Sequence, residues 1–215
     1  MKLPTIEPED VPYGDDWFRA DVVEAWTEAA DRLRPWRSQF RDAIAESVAV
    51  LPAGARVVEL GSGPGFLAER VLERCASLAS YSLLDFSEPM LARSRARVAR
   101  FAAARFVLAD FKSPDWIHQL GESFDCVVSM QAIHELRHKR HVPELYRRLR
   151  EGVEAPGLIL ICDHVPLDDS EKSAKLYMTE GEQLDSLSFA GFEDVEIALS
   201  IDKLRLYRGR KRLAP

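Results

Sequence analysis

The stretch Arg56–Phe66, R-V-V-E-L-G-S-G-P-G-F, constrains the fold more than any other part of the chain. An apolar run ends in an acid, Glu59, and three glycines follow at alternate positions, Gly61, Gly63 and Gly65. The run reads as a buried strand, and a helix is expected to begin near Phe66. Glycines at such a corner accept positive φ and let a ligand approach main chain with no Cβ in the way. A strand, a glycine turn and a helix N-terminus form the nucleotide-binding corner of a doubly wound α/β sheet. The spacing narrows the ligand. A dinucleotide fingerprint, G-x-G-x-x-G, requires its third glycine at position 66, where Phe66 stands; the chain carries E-x-G-x-G-x-G from Glu59 to Gly65 instead.

The surrounding sequence supports one α/β unit. From position 56 onward, strands are predicted near 56–60, 81–85, 105–109, 124–129 and 157–163, with helices near 66–77, 88–99, 115–120 and 143–151. This alternation implies a parallel sheet with right-handed crossovers. The end differs. Thr179 and Glu182 form a capping-box pattern that opens a helix running to about Ala190, and Gly191 stops it. Two strands follow near 192–199 and 203–208, and a link as short as Ile201-Asp202 permits only a hairpin. The expected architecture is therefore a Rossmann-like, doubly wound, seven-stranded α/β sheet, mostly parallel with an antiparallel C-terminal hairpin, and helices on both faces.

Ahead of that unit, residues 1–52 read as an arm and a helical lid on a domain spanning 53–215. Pro4, Pro8 and Pro12 among acids mark a tail or extended arm. Asp16 is placed to cap a helix with Phe18, Val22, Trp26, Ala29 and Leu33 on one face. Phe40, Ile44, Val48 and Leu51 mark a second helix before Pro52-Ala53-Gly54 breaks the chain. Tyr13, Trp17 and Phe18 can close over a pocket or serve as core.

Composition excludes several classes of partner. At 215 residues with a net charge of −6, the chain does not suit general nucleic-acid or anionic-membrane binding. No apolar run approaches the ~20 residues of a membrane span, and no signal-peptide pattern opens the chain. Cys75, Cys126 and Cys162 are widely spaced in apolar surroundings. They read as free core thiols in a reducing compartment, which implies a cytoplasmic location.

The glycine stretch resembles motif I of the class I S-adenosylmethionine-dependent methyltransferases, and the resemblance extends from about Val57 to Arg208. The implied cofactor is S-adenosyl-L-methionine. Gly61 and Gly63, with Gly65 completing the motif, would pass against its methionine portion, and Glu59 would lie near its ammonium. Asp85 ends the second strand 24 residues after Gly61 (85 − 61). A carboxylate there can accept from both ribose hydroxyls. Phe86 belongs to the same site. Met90 is where the family packs an apolar side chain on the adenine, a task suited to a polarizable thioether. Asp110 stands where the family accepts from the adenine amine, and the main chain of Phe111 would reach the ring. Met130 and Gln131, ending the fourth strand, would lie beside the sulfonium. The Asn/Asp-Pro-Pro-aromatic signature of amino-methylating members is missing, which argues against adenine- and glutamine-amide-type methylation.

His134-Glu135-Leu136-Arg137-His138 is literally H-E-x-x-H. That zinc-hydrolase motif works only when one helix presents both histidines on one face. Here it follows a buried strand, and Pro143 is placed to open the next helix, so a loop with a short turn is expected and no metal is assigned. The same residues carry the catalytic question. Active sites of open α/β sheets lie at the C-terminal ends of the strands, where His134 and Glu135 follow strand four and Asp163 and His164 follow strand five. Methyl transfer needs nucleophile, methyl carbon and sulfur held in line, and a protonated nucleophile needs a base. His134 either takes that proton or orders the loop while orientation alone drives the reaction.

Residues 137–150 contain six Lys or Arg and one acid, Glu144. Most read as a solvated helix face, while Arg137, Lys139 and Arg140 lie closer to the pocket and can attract an anionic substrate. A small-molecule acceptor is expected. The alternatives are a cofactor-binding pseudoenzyme acting through a protein partner and the zinc hydrolase.

Overall fold

The apolar runs pair as one seven-stranded sheet in the computed structural model, which describes residues 7–121 and 123–213. The strands are β1 (Arg56–Leu60), β2 (Ser80–Asp85), β3 (Ala104–Leu108), β4 (Phe124–Met130), β5 (Val153–His164), β6 (Glu193–Ile201) and β7 (Leu204–Lys211). Their order is β3-β2-β1-β4-β5-β7-β6. The first five are parallel, and β7 runs antiparallel to both β5 and β6. The final pair is the expected hairpin, turned at Asp202 with φ 52°.

The helices are α1 (Ala20–Leu33), α2 (Arg37–Ala49), α3 (Phe66–Arg74), α4 (Glu88–Val98), α5 (Trp116–Gln119), α6 (Val142–Gly152), α7 (Glu171–Leu176) and α8 (Glu180–Phe189). Central strands are covered on both sides, which is why they read as unbroken apolar runs rather than alternating ones. On one face Phe40, Ile44, Val71 and Leu67 pack on Val57, Leu83, Val128 and Leu160. On the other, Trp116, Tyr146, Leu149 and Leu187 pack on Val58, Leu84, Val127 and Ile159. Burying each such side chain stabilises the fold by ~1.5–3 kcal/mol. Cys75, Cys126 and Cys162 are buried and unpaired within this core. Among the described residues no helix is long and apolar enough to cross a membrane.

Most boundaries match the sequence reading. The capping box of α8 forms: Glu182 N donates to Thr179 Oγ1 at 3.2 Å and Thr179 N donates to Glu182 Oε2 at 2.8 Å. Gly191 then takes φ 94°. Differences occur at five elements. α3 ends at Arg74, short of the expected 77, β5 starts at Val153 rather than 157, β7 runs on to Lys211 rather than 208, and α7 forms where no helix was expected. The fifth is α1. It begins at Ala20, Asp16 instead accepts from Phe18 N at 3.1 Å, and Arg19 holds the N-cap without a side-chain bond. Its buried residues are Val23 and Ala30, while Leu33 is 65% exposed. The helix is an outer layer packed on α4, with Glu24 paired to Arg93, and it turns Trp26 toward a cavity rather than the core.

Candidate functional site

The sheet order reverses between β1 and β4, and ligands of open α/β folds bind at such a switch point beyond the strands' C-terminal ends. A cavity of about 270 Å³ lies there. Of the cofactor-binding and catalytic candidates, Glu59, Gly61, Gly63, Asp85, Phe86, Met90, Phe111, Met130, Gln131, His134 and Glu135 line it, and Gly65 and Asp110 do not; nor does Asp163.

The three glycines do different jobs. Gly61 has φ 62°, and a Cβ there would stand 2.3 Å from the Ala132 Cβ, so the loops after β1 and β4 can meet only without that atom. Gly63 has φ 54° with nothing within 4 Å of a built Cβ, so it leaves open space in the cavity wall. Gly65 has φ 83° and opens α3 against Ser94 of α4, 3.0 Å from a built Cβ. It is a packing glycine, outside the cavity where the sequence reading put it. Asp110 also stands back: its carboxylate accepts from Lys112 N at 2.9 Å, whereas its neighbour Phe111 reaches the cavity.

Two buried acids face the glycine loop. Asp85 accepts from Gly63 N at 2.8 Å and from Ser87 N at 2.9 Å, which ties the loop to the end of β2. Each oxygen keeps a further lone pair. Burial pushes this carboxyl up to about 6 despite those bonds. Glu59 is 2% exposed and accepts from the Tyr81 hydroxyl at 2.9 Å. Burial, reinforced by the nearby Asp85, pushes it up to about 8. A buried acid held neutral this way becomes a carboxylate when a cation reaches it.

Also lining the cavity, His134 sits on a 3₁₀ turn, Ile133–Leu136, that follows β4. Its Nδ1 lies 2.8 Å from Asp163 Oδ1 and its main-chain N donates to Asp163 Oδ2 at 3.0 Å. Burial alone would favour the neutral ring, but the charge and hydrogen bond of Asp163 outweigh it and hold the imidazolium above its ordinary value. Asp163 stays ionised, because His134 outweighs its own burial and keeps it below the usual range. An ionised carboxylate only accepts, so Nδ1 carries the proton and Nε2 of the neutral ring presents a lone pair. Glu135 Oε1 is 3.7 Å from that Nε2, beyond hydrogen-bond reach.

Beside it, His164 Nε2 is 2.7 Å from the Gln131 amide nitrogen. Burial, with Arg34 and Arg37 adding repulsion, pushes this ring down to about 4, so it is neutral. Tyr177 packs against both histidines, its ring centroid 5.3 Å from His134 and 5.7 Å from His164. The H-E-x-x-H segment is therefore not one helix. His134 lies in the first 3₁₀ turn, Arg137 takes φ 67°, and His138 caps a second turn. Among the described residues no group of three or more His, Cys, Asp or Glu converges as metal ligands.

The basic loop is committed elsewhere. Arg137, 6% exposed, donates to Val11 O at 3.0 Å, to Pro12 O at 2.7 Å and to Glu135 at 2.9 Å. Lys139 pairs with Glu182, and Arg140 with Glu7, Glu9 and Asp10. Buried Asp10 also pairs with Lys112 and His141. Arg137, Arg140 and Lys112 clamp the N-terminal arm while Lys139 ties to α8, and none of Arg137, Lys139 and Arg140 lines the cavity. The arm then places Tyr13 and Phe18 against Phe86 and brings Trp17 to the cavity rim. Pro4 lies outside the described residues.

Sequence reading missed the cations that do face the cavity, Arg34, Arg37 and Arg41. A signal existed. Arg37 and Arg41 fall on the α2 stripe with Phe40, Ile44 and Val48, and all five are buried. A charge on the apolar stripe of a helix needs a partner that the helix does not supply. Arg41 has one, accepted by Asp31 at 2.9 and 2.7 Å. Burial lowers Arg37 to about 10.

The chain resembles several solved methyltransferase structures. It has a TM-score of 0.65 and 13% identity to the CurJ carbon methyltransferase, covering 79% of this chain and 52% of that one. Human N-acetylserotonin methyltransferase, solved in complex with S-adenosylmethionine, gives 0.69 and 16%, covering 91% and 57%. An S-adenosylmethionine-dependent methyltransferase from Mesorhizobium loti gives 0.59 and 22%, covering 80% of this chain and 100% of that one. The chain thus spans 52% and 57% of the first two and the full length of the third. At these identities the likeness establishes the fold. No curated protein matches the chain. Residues 57–152, from β1 through α6, match the family model described as a methyltransferase domain. That match and the seven-stranded sheet together show a methyltransferase domain of Rossmann-like fold over residues 57–152.

Proposed function

We propose that the protein transfers a methyl group from S-adenosylmethionine to a small-molecule acceptor whose nucleophile His134 deprotonates. The observation that carries this reading is one cavity lined by two chemically distinct groups of side chains. Glu59, Gly63 and Asp85 line it as one set, and His134, held from behind by Asp163, lines it as the other.

The residues fit the cofactor on structural grounds. Gly63 leaves room for backbone approach, and Ser62 Oγ and Gln131 Oε1 are buried without partners in the cavity wall. Asp85 would accept from the ribose hydroxyls, Glu59 would face the ammonium, and Phe86, Met90 and Phe111 would enclose the adenine. When bound, the cofactor supplies a methyl carbon made electrophilic by its sulfonium.

The chain's own chemistry is proton transfer and positioning. Asp163 holds Nδ1–H, so Nε2 of His134 faces the cavity as an acceptor. An acceptor O–H or N–H placed against Nε2 loses its proton to the ring as it attacks, and Asp163 stabilises the imidazolium that forms. Tyr177 and neutral His164 pack the ring into one orientation. Orientation contributes beside proton transfer, because in-line attack depends on it. Purified protein with methyl-labelled S-adenosylmethionine and a panel of small hydroxyl, amine and acid compounds tests the reading. Label appearing in a small product supports it. Binding of S-adenosylhomocysteine with no transfer to any compound would favour the pseudoenzyme, and no binding at all would remove the cofactor.

A further inference from the structure

Among the described residues, six buried side-chain nitrogen or oxygen atoms lack a hydrogen-bond partner, and five belong to residues lining the cavity. They are Nε and Nη1 of Arg37, Ser62 Oγ, Gln131 Oε1 and His164 Nδ1. Buried polar atoms are almost always paired, so a cluster of orphans around one space marks where a ligand completes the set. Arg37 is the exception within this group because its orphaned atoms carry a full charge.

Arg37 is 5% exposed at the start of α2, and its guanidinium carbon lies 5.3 Å from the centre of the Trp26 ring. The ring steadies the cation without neutralising it. The charge of Asp31 reaches it, but both Asp31 oxygens are bonded to Arg41, and Arg41 and Arg34 add charge of the same sign. The Arg37 charge is also felt at His164, which lines the same cavity. A cation is rarely left buried and unpaired, since its desolvation is uncompensated. A buried planar fork with two unmatched nitrogens calls for an anion with planar acceptor oxygens, which is a carboxylate.

We propose that Arg37 is the carboxylate-binding group of the cavity. The inference rests on the methyltransferase reading for its two sources of carboxylate, the amino-acid end of the cofactor and the acceptor. It replaces the anion-attracting role expected of Arg137, Lys139 and Arg140.

The test uses the full-length chain with Arg37→Met and Arg37→Lys. Melting of the ligand-free proteins is followed by calorimetry with S-adenosylhomocysteine and with methylthioadenosine, the same nucleoside without the amino-acid tail. Benzoate is then added with and without saturating S-adenosylhomocysteine. Arg37→Met is expected to melt at or above the wild type, because an unpaired buried charge is gone. If the carboxylate is the cofactor's, Arg37→Met loses at least tenfold in affinity for S-adenosylhomocysteine and none for methylthioadenosine. If it is the acceptor's, both nucleosides bind unchanged, and benzoate raises the melting temperature of wild type but not of Arg37→Met. Arg37→Lys, which keeps the charge, retains part of either effect and carries the comparison should Arg37→Met not fold. Identical responses of wild type and variants to every probe overturn the proposal, as does inorganic phosphate stabilising wild type as strongly as benzoate. A wild type that binds neither nucleoside counts against the cofactor reading, while benzoate alone still reads Arg37.

Discussion

Asp163 accepts two hydrogen bonds from His134, one from the ring Nδ1 at 2.8 Å and one from the main-chain N–H at 3.0 Å. The two residues come from different strand ends, β5 and the turn after β4, which the parallel pairing Met130–Cys162 sets side by side. The double contact fixes the backbone of the turn, the ring plane and the tautomer together. It leaves Nε2 as the free acceptor in the cavity.

With an identified acceptor, His134→Ala should lower kcat by ~10²–10⁴ while leaving affinity for S-adenosylhomocysteine within a few-fold. The wild-type kcat should rise with pH through a limb above 6.5, because Asp163 raises the imidazolium pKa. Asp163→Asn should move that limb to lower pH, since the stabilising charge is gone, and should lower kcat because the amide also supports the wrong tautomer. An unmoved limb in Asp163→Asn, or His134→Ala within threefold of wild type, would leave orientation as the mechanism. Stability gives an independent reading. A raised His134 pKa contributes stability that is present below about 6.5 and lost as pH rises through its folded value. The melting difference between wild type and His134→Gln should therefore shrink from pH 6 to pH 9.

Glu59 is expected to make cofactor binding depend on pH. Its carboxyl is held at about 8 in the ligand-free protein, so near neutral pH it is mostly protonated. An ammonium favours the carboxylate, so binding S-adenosylhomocysteine should release a proton. Affinity should then rise as pH increases from 6 to 8, by at most about tenfold per unit. Calorimetry in buffers of different ionisation heat counts the released proton. Glu59→Gln should abolish the release. If the wild type releases none, the ammonium does not meet Glu59.

The glycines separate fold from binding. Gly61→Ala brings a Cβ to 2.3 Å from Ala132 and strains a φ of 62°, so it should destabilise the protein by ~2–4 kcal/mol in urea unfolding. Gly63→Ala meets nothing within 4 Å and keeps only the φ strain, ~1–2 kcal/mol, yet it narrows the cavity. It should cost proportionately more in nucleoside affinity than in stability. Equal stability losses in the two variants would contradict the packing described for Gly61.

Asp10 anchors the N-terminal arm. Its carboxylate is buried against Lys112 and His141. These partners, with Glu7 N, outweigh burial and hold it far below the usual range. Asp10→Ala leaves Lys112 without its partner and should weaken arm docking by ~3–5 kcal/mol. Hydrogen exchange at residues 7–18 should speed up strongly while the strands β1, β4 and β5 stay protected. Unchanged protection of the arm would show that the Arg137 bonds to Val11 and Pro12 suffice alone.

The local sequence determined the elements whose signal is local. The strand–glycine–helix corner, the Thr179–Glu182 box and the short link before β7 each depend on a few adjacent residues, and each formed as expected. The cavity wall was legible for the same reason, since Glu59, Asp85 and Met130 stand at strand ends that periodicity locates. Tertiary structure decided what local pattern leaves undetermined. Gly65 and Gly61 look alike in sequence, but only packing shows that one faces α4 and the other Ala132. Trp26 sits on the expected helix, yet α1 is an outer layer, so the ring meets the cavity and Arg37 instead of the core. The basic loop near position 140 looked free to attract an anion because its partners, the carbonyls and acids of residues 7–12, lie more than a hundred positions away. A charge declares its role only when its counter-charge is located, and in this chain the fold supplies one to Arg137 and Arg140 and withholds one from Arg37.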